Sequence, residues 1–277
     1  MNLKIRDKKL RSKFHKLISI LQKYNSIIVA YSGGVDSSLL VFLCKNIDIK
    51  TLAITAVSEV YNYDDIPEIK RFVKENNIWH KIIYTNELSN KFFVRNNIDR
   101  CFFCKEELFR KLESIRNKYN IDVIMDGTNY DDIKFDNRPG YIAAKKYSIV
   151  SPYVEARIKK EDIRVLAKGL ELKICDKLSS ACLASRIVFG EKIDKEKLKK
   201  VYLAEKIIKK FWNKFFRVRV QNDVARIEVE KKEIMNFINE VEIEKLSSKI
   251  HELGFKFCVL DLDGYIPAGV REQKWRQ

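Results

Sequence analysis

The sequence predicts an α/β protein: a parallel sheet with helices on both faces, followed by a smaller α+β domain. Three observations carry this. Short apolar runs of strand length alternate with helix-spaced stretches over roughly the first two thirds of the 277 residues, the pattern of a sheet covered on both sides. A Gly-Gly pair interrupts the first of those runs, and a helix follows it. Beyond about residue 190 the alternation changes to one long helix followed by two strands of period two. The expected domains are therefore residues 1–189 and 190–277, a length that suits one large core and one small one.

In chain order, Leu10, Phe14, Leu17, Ile18 and Leu21 fall on one face of a helix over 8–24. Ser26 to Tyr31 reads as a buried strand, and the run Leu39 to Cys44 as a helix beyond the glycines. Further strands are expected at Lys50–Val57, Lys81–Tyr84 and Asp122–Met125, separated by helices over Ile66–Asn76 and Lys105–Tyr119. In the second domain a helix over Lys195–Trp212 precedes strands Phe215–Val220 and Val224–Val229. Helical stretches Lys231–Val241 and Ile243–Leu253 and a last strand, Lys256–Leu262, complete it. There are no repeats and no low-complexity tracts.

A hydrophobic content of 46% with 33% charged residues describes a soluble globular chain. No apolar run approaches the roughly 18–20 residues of a membrane span, and the basic stretch Met1 to Lys13 lacks a following signal-peptide core. A cytoplasmic protein is expected. The formal charge of +16 has two readings: a surface that attracts phosphates or RNA, or a composition rich in Lys, Ile and Asn throughout. The basic residues form no block of five, which favours the compositional reading. Six cysteines in a cytosolic chain are thiols, metal ligands or redox groups rather than a disulfide framework. Cys44 and Cys258 lie in apolar runs and read as inert core.

The strongest chemical signal is Ser32-Gly-Gly-Val-Asp-Ser-Ser38 between a strand and a helix. The glycines allow φ > 0 and let backbone N–H groups approach an oxyanion. The helix adds its positive end, and Ser32, Ser37 and Ser38 add hydroxyls. With no following Lys this is not a Walker loop. Asp36 would repel a phosphate unless a cation lay between them, which gives it a Mg²⁺ role. Thr128, beside Gly127 at a strand end, lines the same site or simply belongs to a turn. Cys101-Phe-Phe-Cys104 opens a helix and Cys182 lies some 80 residues later. Three thiolates suit an iron–sulfur cluster with an open position; a zinc site completed by Cys175, or plain packing beside Phe102 and Phe103, are the alternatives. Arg217 and Arg219 alternate with valines, so both point to one strand face, either solvated or clamping a phosphate. Arg186 could hold pyrophosphate or a substrate phosphate. Glu205 and Glu228 read as surface carboxylates, and His15, His80 and His251 sit in no motif.

The loop resembles the PP-loop of ATP pyrophosphatases, which cleave ATP between the α and β phosphates and leave AMP on an acceptor oxygen. Taken with Asp99–Phe109, Asp126–Asp132, Ser180–Ile187, Arg217-Val-Arg219, Ala225–Val229 and Asp261–Tyr265, the chain resembles the LarE family from about residue 12 to 269. The resemblance implies an ATP-dependent sulfur transferase acting on pyridinium bis-carboxylic acid mononucleotide, on the path to a nickel-pincer cofactor. It implies ATP contacts at Ser32, Gly33, Gly34, Asp36, Ser37, Ser38 and Thr128, and catalytic roles for Asp36, Cys182 and Arg186. Substrate contacts fall at Ser185, Arg186, Glu205, Arg217, Arg219 and Glu228. Cys101, Cys104 and Cys182 would hold a [4Fe–4S] cluster fed by sulfide or another sulfur donor; the alternative is a sacrificial Cys182 that ends as dehydroalanine. A homo-oligomer is expected, a hexamer among its candidate states, with no membrane or nucleic-acid partner. A tRNA thiolase, an amide synthetase using ammonia and a nucleotide-binding regulator are the rival readings.

Overall fold

The strand runs 26–30 and 50–57 are apolar on both faces because both faces are covered. In the computed structural model, which describes residues 5–133, 139–175 and 182–266, the chain divides into two compact units. The first comprises residues up to 58, 63–87 and 99–175; the second comprises 59–62, 88–98 and 182–266.

The first unit holds α1 (Lys8–Leu21), β1 (Ser26–Ala30), α2 (Val35–Asn46), β2 (Lys50–Val57), α3 (Ile66–Glu75) and β3 (Trp79–Tyr84). The second unit's α4 (Lys91–Val94) interrupts this order before α5 (Arg100–Tyr119) and β4 (Val123–Met125). The segment 139–169, to which the sequence reading gives no element, forms α6 (Pro139–Lys146), α7 (Pro152–Glu155) and α8 (Lys160–Gly169). The four strands are parallel in the order β3-β2-β1-β4, as expected of an α/β protein. On one face Ile28 and Ile124 pack with Phe109 and Leu112 of α5 and Ala143 and Ala144 of α6. Ile27 and Val29 point the other way by the two-residue period and are fully buried, as are Leu39, Leu40 and Leu43 of α2, which packs on β1 and β2.

The strand order matters for function. From β1 the chain builds outward through β2 to β3, then returns to β4 on the other side of β1. Between β1 and β4 the winding reverses, and the loops leaving two neighbouring parallel strands diverge there to open a crevice at their carboxyl ends. The segments that enter this crevice are Tyr31–Gly34 after β1 and Asp126–Asn129 after β4. Among the described residues no helix is long and apolar enough to cross a membrane.

The second unit adds α9 (Lys195–Phe211), β5 (Phe216–Gln221), β6 (Val224–Val229), α10 (Ile234–Glu240), α11 (Ile243–His251) and β7 (Phe257–Leu260). β5 and β6 form an antiparallel hairpin, and β7 lies parallel to β6. This unit also captures α4. Asn96, fully buried with φ at 56°, donates its side-chain amide to the carbonyls of Ile187, Val188 and Glu191 at 3.3, 2.8 and 2.9 Å. The carbonyl of Val94 accepts from Ile193 N at 2.9 Å, and that of Val60 from Leu183 N at 2.9 Å.

Asn tolerates the left-handed conformation that Ala resists, and its removal leaves buried carbonyls without donors. Asn96→Ala should therefore cost about 3 kcal/mol in urea unfolding. An unchanged midpoint would mean that this side chain does not tie residues 88–98 to the second unit.

Candidate functional site

The phosphate-type loop is built from its own side chains. Ser37 Oγ accepts from Ser32 N at 3.2 Å, lies 3.1 Å from Ser32 Oγ and donates to the Gly34 carbonyl at 3.2 Å. Gly33 has φ at 75°, and a Cβ there would stand 2.4 Å from Ile69 Cγ1, so both conformation and space demand glycine. Gly34 differs: it caps α2 in extended geometry with no side-chain bond to the first turn. Its use is to leave the positive helix end open to an anion. Ser38 faces inward, fully buried, donating to Tyr31 Oη at 3.5 Å.

Gly127 brings the second loop against the first. A Cβ at 127 would lie 2.9 Å from Ser37 N and 3.2 Å from the Asp36 carbonyl carbon. Asp126, buried, shapes this turn by accepting from Ser151 Oγ at 2.7 Å, Thr128 Oγ1 at 2.7 Å and Thr128 N at 3.2 Å. Thr128 thus sits at the crevice with its hydroxyl turned to Asp126. Asn129 Nδ2 donates to Asp36 Oδ1 at 3.3 Å, and Lys160 Nζ pairs with Asp36 Oδ2. Tyr153 Oη donates to the Asp36 carbonyl at 2.9 Å. Burial, and then the charge of Asp36, hold that phenol well above its ordinary range, so it remains a neutral donor.

Asp126, Asn129, Tyr153 and Lys160 carry no roles in the sequence reading. Asp126 and Asn129 could have been found from the polar turn that closes a strand. Lys160 lies 124 residues from Asp36 with no local signal.

The second unit gathers a lattice of alternating charge. Arg186, 2% exposed, holds Glu205 with two bonds, Nε to Oε1 at 2.8 Å and Nη2 to Oε2 at 3.2 Å. Its Nη1 donates to the Cys182 carbonyl at 3.1 Å, which also accepts from Ser185 Oγ at 2.7 Å. The exposed Cys182 is thereby fixed through its own backbone. Arg219 Nε donates to Glu228 Oε2 at 3.0 Å, and its other nitrogens reach the carbonyls of Ser185 and Ile266. Arg226 bridges Glu228 at 3.5 Å and Asp261 at 3.3 Å. Gly264 lets the following chain pass close to Lys231, and Tyr265 stacks edge-on against Phe215 with centroids 4.7 Å apart.

Two expectations change here. Glu205 and Glu228 are not surface carboxylates: Glu228 is wholly buried, and Glu205 is held by Arg186 and Val218 N. The strand face of Arg217 and Arg219 is not solvated either. Arg219 is held by Glu228 and two carbonyls, and Arg217 lies half-buried, donating Nη1 to the Phe216 carbonyl at 3.0 Å with its guanidinium carbon 4.6 Å from the Phe215 ring centroid. Burial, then the nearby charge of Arg186, pull Arg217 down to about 10. The Glu205 carboxylate acts in the opposite direction.

Cys101 is exposed and Cys104 half-buried, three residues apart in the first turns of α5 and so on one helix face. No three His, Cys, Asp or Glu side chains are gathered to hold a metal among the described residues. Cys44 is core, its thiol pushed up to about 12 by burial; Cys258 is half-buried rather than core.

No protein-family profile matches the chain. It is 34% identical over 257 residues to an uncharacterized protein of Synechocystis sp., covering 92% of this chain and 96% of the relative. It is 27% identical to the pyridinium-3,5-bisthiocarboxylic acid mononucleotide synthase of Lactiplantibacillus plantarum, covering 92% of each. The solved structure of NMN synthetase from Francisella tularensis superposes with a TM-score of 0.51 at 18% identity, over 63% of this chain and 76% of that one, which shows a shared fold. Similar along nearly its whole length to both relatives, the chain belongs to the LarE family.

Proposed function

We propose that this chain is an ATP-dependent sulfur transferase that converts the carboxylates of pyridinium bis-carboxylic acid mononucleotide to thiocarboxylates. The observation that carries the reading is that one chain holds both a phosphate-type loop and, in its other unit, a buried arginine–glutamate lattice. Arg217, half-buried beside Arg186 and stacked on Phe215, adds a further positive charge to that region.

A carboxylate does not expel oxide, so it must first be activated. Attack of a carboxylate oxygen on the α-phosphorus of ATP forms a P–O bond and releases pyrophosphate. A sulfide nucleophile then attacks the carbonyl carbon, and AMP leaves with the bonding electrons. Ser32, Gly33, Gly34, Ser37 and the positive end of α2 would hold the phosphates, with Thr128 and Asn129 lining the crevice. Asp36 is suited to Mg²⁺, since a cationic group already rests on its carboxylate; bound there, the ion would neutralise charge on departing pyrophosphate. Arg217 would take the substrate phosphate, and Arg186, Glu205, Arg219 and Glu228 would keep that pocket in shape, with Ser185 beside it.

The thiols of Cys101, Cys104 and Cys182 are of the kind that holds an iron–sulfur cluster, none being in a disulfide and two sharing one helix face, but the described residues do not gather three metal-ligating side chains. A [4Fe–4S] cluster bound by them would supply the sulfide and allow repeated turnover. The tRNA-thiolase reading keeps the net charge of +16 and a distant likeness, 24% identity over 56% of this chain, to a tRNA-specific 2-thiouridylase of Fusobacterium nucleatum.

Three outcomes test this. Asp36→Asn should abolish pyrophosphate release in the presence of magnesium while leaving the melting temperature within a few degrees; wild-type yield would remove Asp36 from the chemistry. The two strand arginines should part company. Arg217→Ala should raise the substrate KM by at least about tenfold with little loss of stability, whereas Arg219→Ala should cost about 3–5 kcal/mol by stranding the buried Glu228. Equal behaviour of the pair, in either property, would contradict the division of roles. Finally, Ser in place of both Cys101 and Cys104 should remove iron and multiple turnovers measured anaerobically. Full activity in that variant, with the mass of Cys182 reduced by one H₂S, would instead establish the sacrificial chemistry.

A further inference from the structure

The pair between Lys160 and Asp36 has a consequence beyond holding the loop. Both oxygens of Asp36 are engaged, Oδ1 by Asn129 Nδ2 and Oδ2 by Lys160 Nζ. The ammonium therefore occupies the position that a divalent cation would need. Its placement is built rather than accidental. Lys160 begins α8, and its backbone N donates to Asp131 Oδ2 at 2.9 Å. Asp131 lies two residues past Asn129, and the same turn is pinned by Tyr130 N to the Ile158 carbonyl at 2.8 Å. One short turn thus delivers both partners of the Asp36 carboxylate.

The pair is also breakable. Its side chains are 34% and 21% exposed, so water can replace either partner and the attraction is screened. A Lys ammonium on a flexible stem can swing to a new anion without moving the backbone that carries it.

We infer that Lys160 is an exchangeable cation of the nucleotide loop: it neutralises Asp36 while the loop is empty and transfers to a phosphate oxygen when ATP brings a divalent ion. The exchange makes metal binding depend on nucleotide. Without ATP, a divalent ion must displace the ammonium from Asp36 with no phosphate oxygen there to receive it. With ATP, the triphosphate offers Lys160 a new partner and vacates Asp36 in the same event, so the two ligands bind with positive coupling. Lys160 is a positioning residue in the empty loop and a phosphate-binding residue in the filled one. This rests on the reading of the loop as an ATP site.

The test uses the full chain and Lys160→Met, which keeps the length of the stem and removes the charge. Mn²⁺ serves as a paramagnetic stand-in for Mg²⁺, and α,β-methylene-ATP as the uncleavable nucleotide. Free Mn²⁺ by electron paramagnetic resonance should show that wild-type binds the ion weakly alone and much more tightly with nucleotide. In Lys160→Met, Mn²⁺ alone should bind about tenfold more tightly, and the nucleotide without metal about tenfold more weakly in calorimetry, each being the worth of one charge-assisted interaction. The coupling between the two ligands should shrink accordingly. Unchanged Mn²⁺ affinity and unchanged nucleotide affinity in this variant would overturn the proposal. Asp36→Asn separates that failure from a failure of the ATP-site reading. If Asp36→Asn abolishes nucleotide-dependent Mn²⁺ binding while Lys160→Met changes nothing, the site stands and the exchange falls. If wild-type binds no Mn²⁺ with nucleotide present, both fall.

Discussion

At residue 127 two backbones meet with no side chain between them. The turn that leaves β4 lies so close to the first turn of α2 that a Cβ would come within 2.9 Å of Ser37 N. That approach is possible only where neighbouring parallel strands send their chains in opposite directions. Once it is made, much of the first unit follows from it. Asp126 must turn back to hold Thr128 and Ser151, because its carboxylate is buried and needs donors. Asn129 is brought to Asp36, and Asp131 to the start of α8. Tyr153 closes the arrangement from below α2 with a neutral hydroxyl. The loop's charge is thus balanced by groups that enter from a turn and a helix, and the glycine at 127 sets where they stand.

The second unit solves a different problem, which is how to keep several arginines near one another. Each of Arg186, Arg219 and Arg226 is matched by a carboxylate, and Glu228 is shared between two of them. Buried pairs of this kind add little net stability, but removing one member is severe because it strands the other. The value of the lattice is therefore geometric. It fixes the carbonyls of Cys182 and Ser185.

Much of this was legible in the sequence, for physical reasons. Strands Lys50–Val57 and Val224–Val229 have the expected limits because apolar runs with polar flanks leave little choice of ends. The Ser32–Ser38 loop announced itself through residue types that packing alone does not require. Helices α6 to α8 were illegible: they are short, Pro152 and Gly140 interrupt the pattern, and tertiary packing rather than periodicity selects them. The role of Lys160 was equally hidden, since an ion pair across 124 residues leaves no trace in spacing. Glu205 and Glu228 looked like surface acids because sequence shows a carboxylate's charge but not the arginine that allows its burial.

The capture of residues 88–98 by the second unit bears on how the chain is made. Asn96 leaves the ribosome about ninety residues before the carbonyls of Ile187, Val188 and Glu191 that it serves. At synthesis rates of about 5–20 residues per second that is a wait of roughly 5–20 seconds. During it the nascent chain carries Phe93, buried in the finished unit, while residues 182–266 of that unit are not yet synthesised. The first unit is interrupted by this segment, so its residues 99–175 are made only after part of the second unit has emerged. Maturation is therefore coupled across the whole length of the message, and any pause in translation between codons 98 and 187 lengthens the life of an exposed apolar segment that chaperones would have to shield.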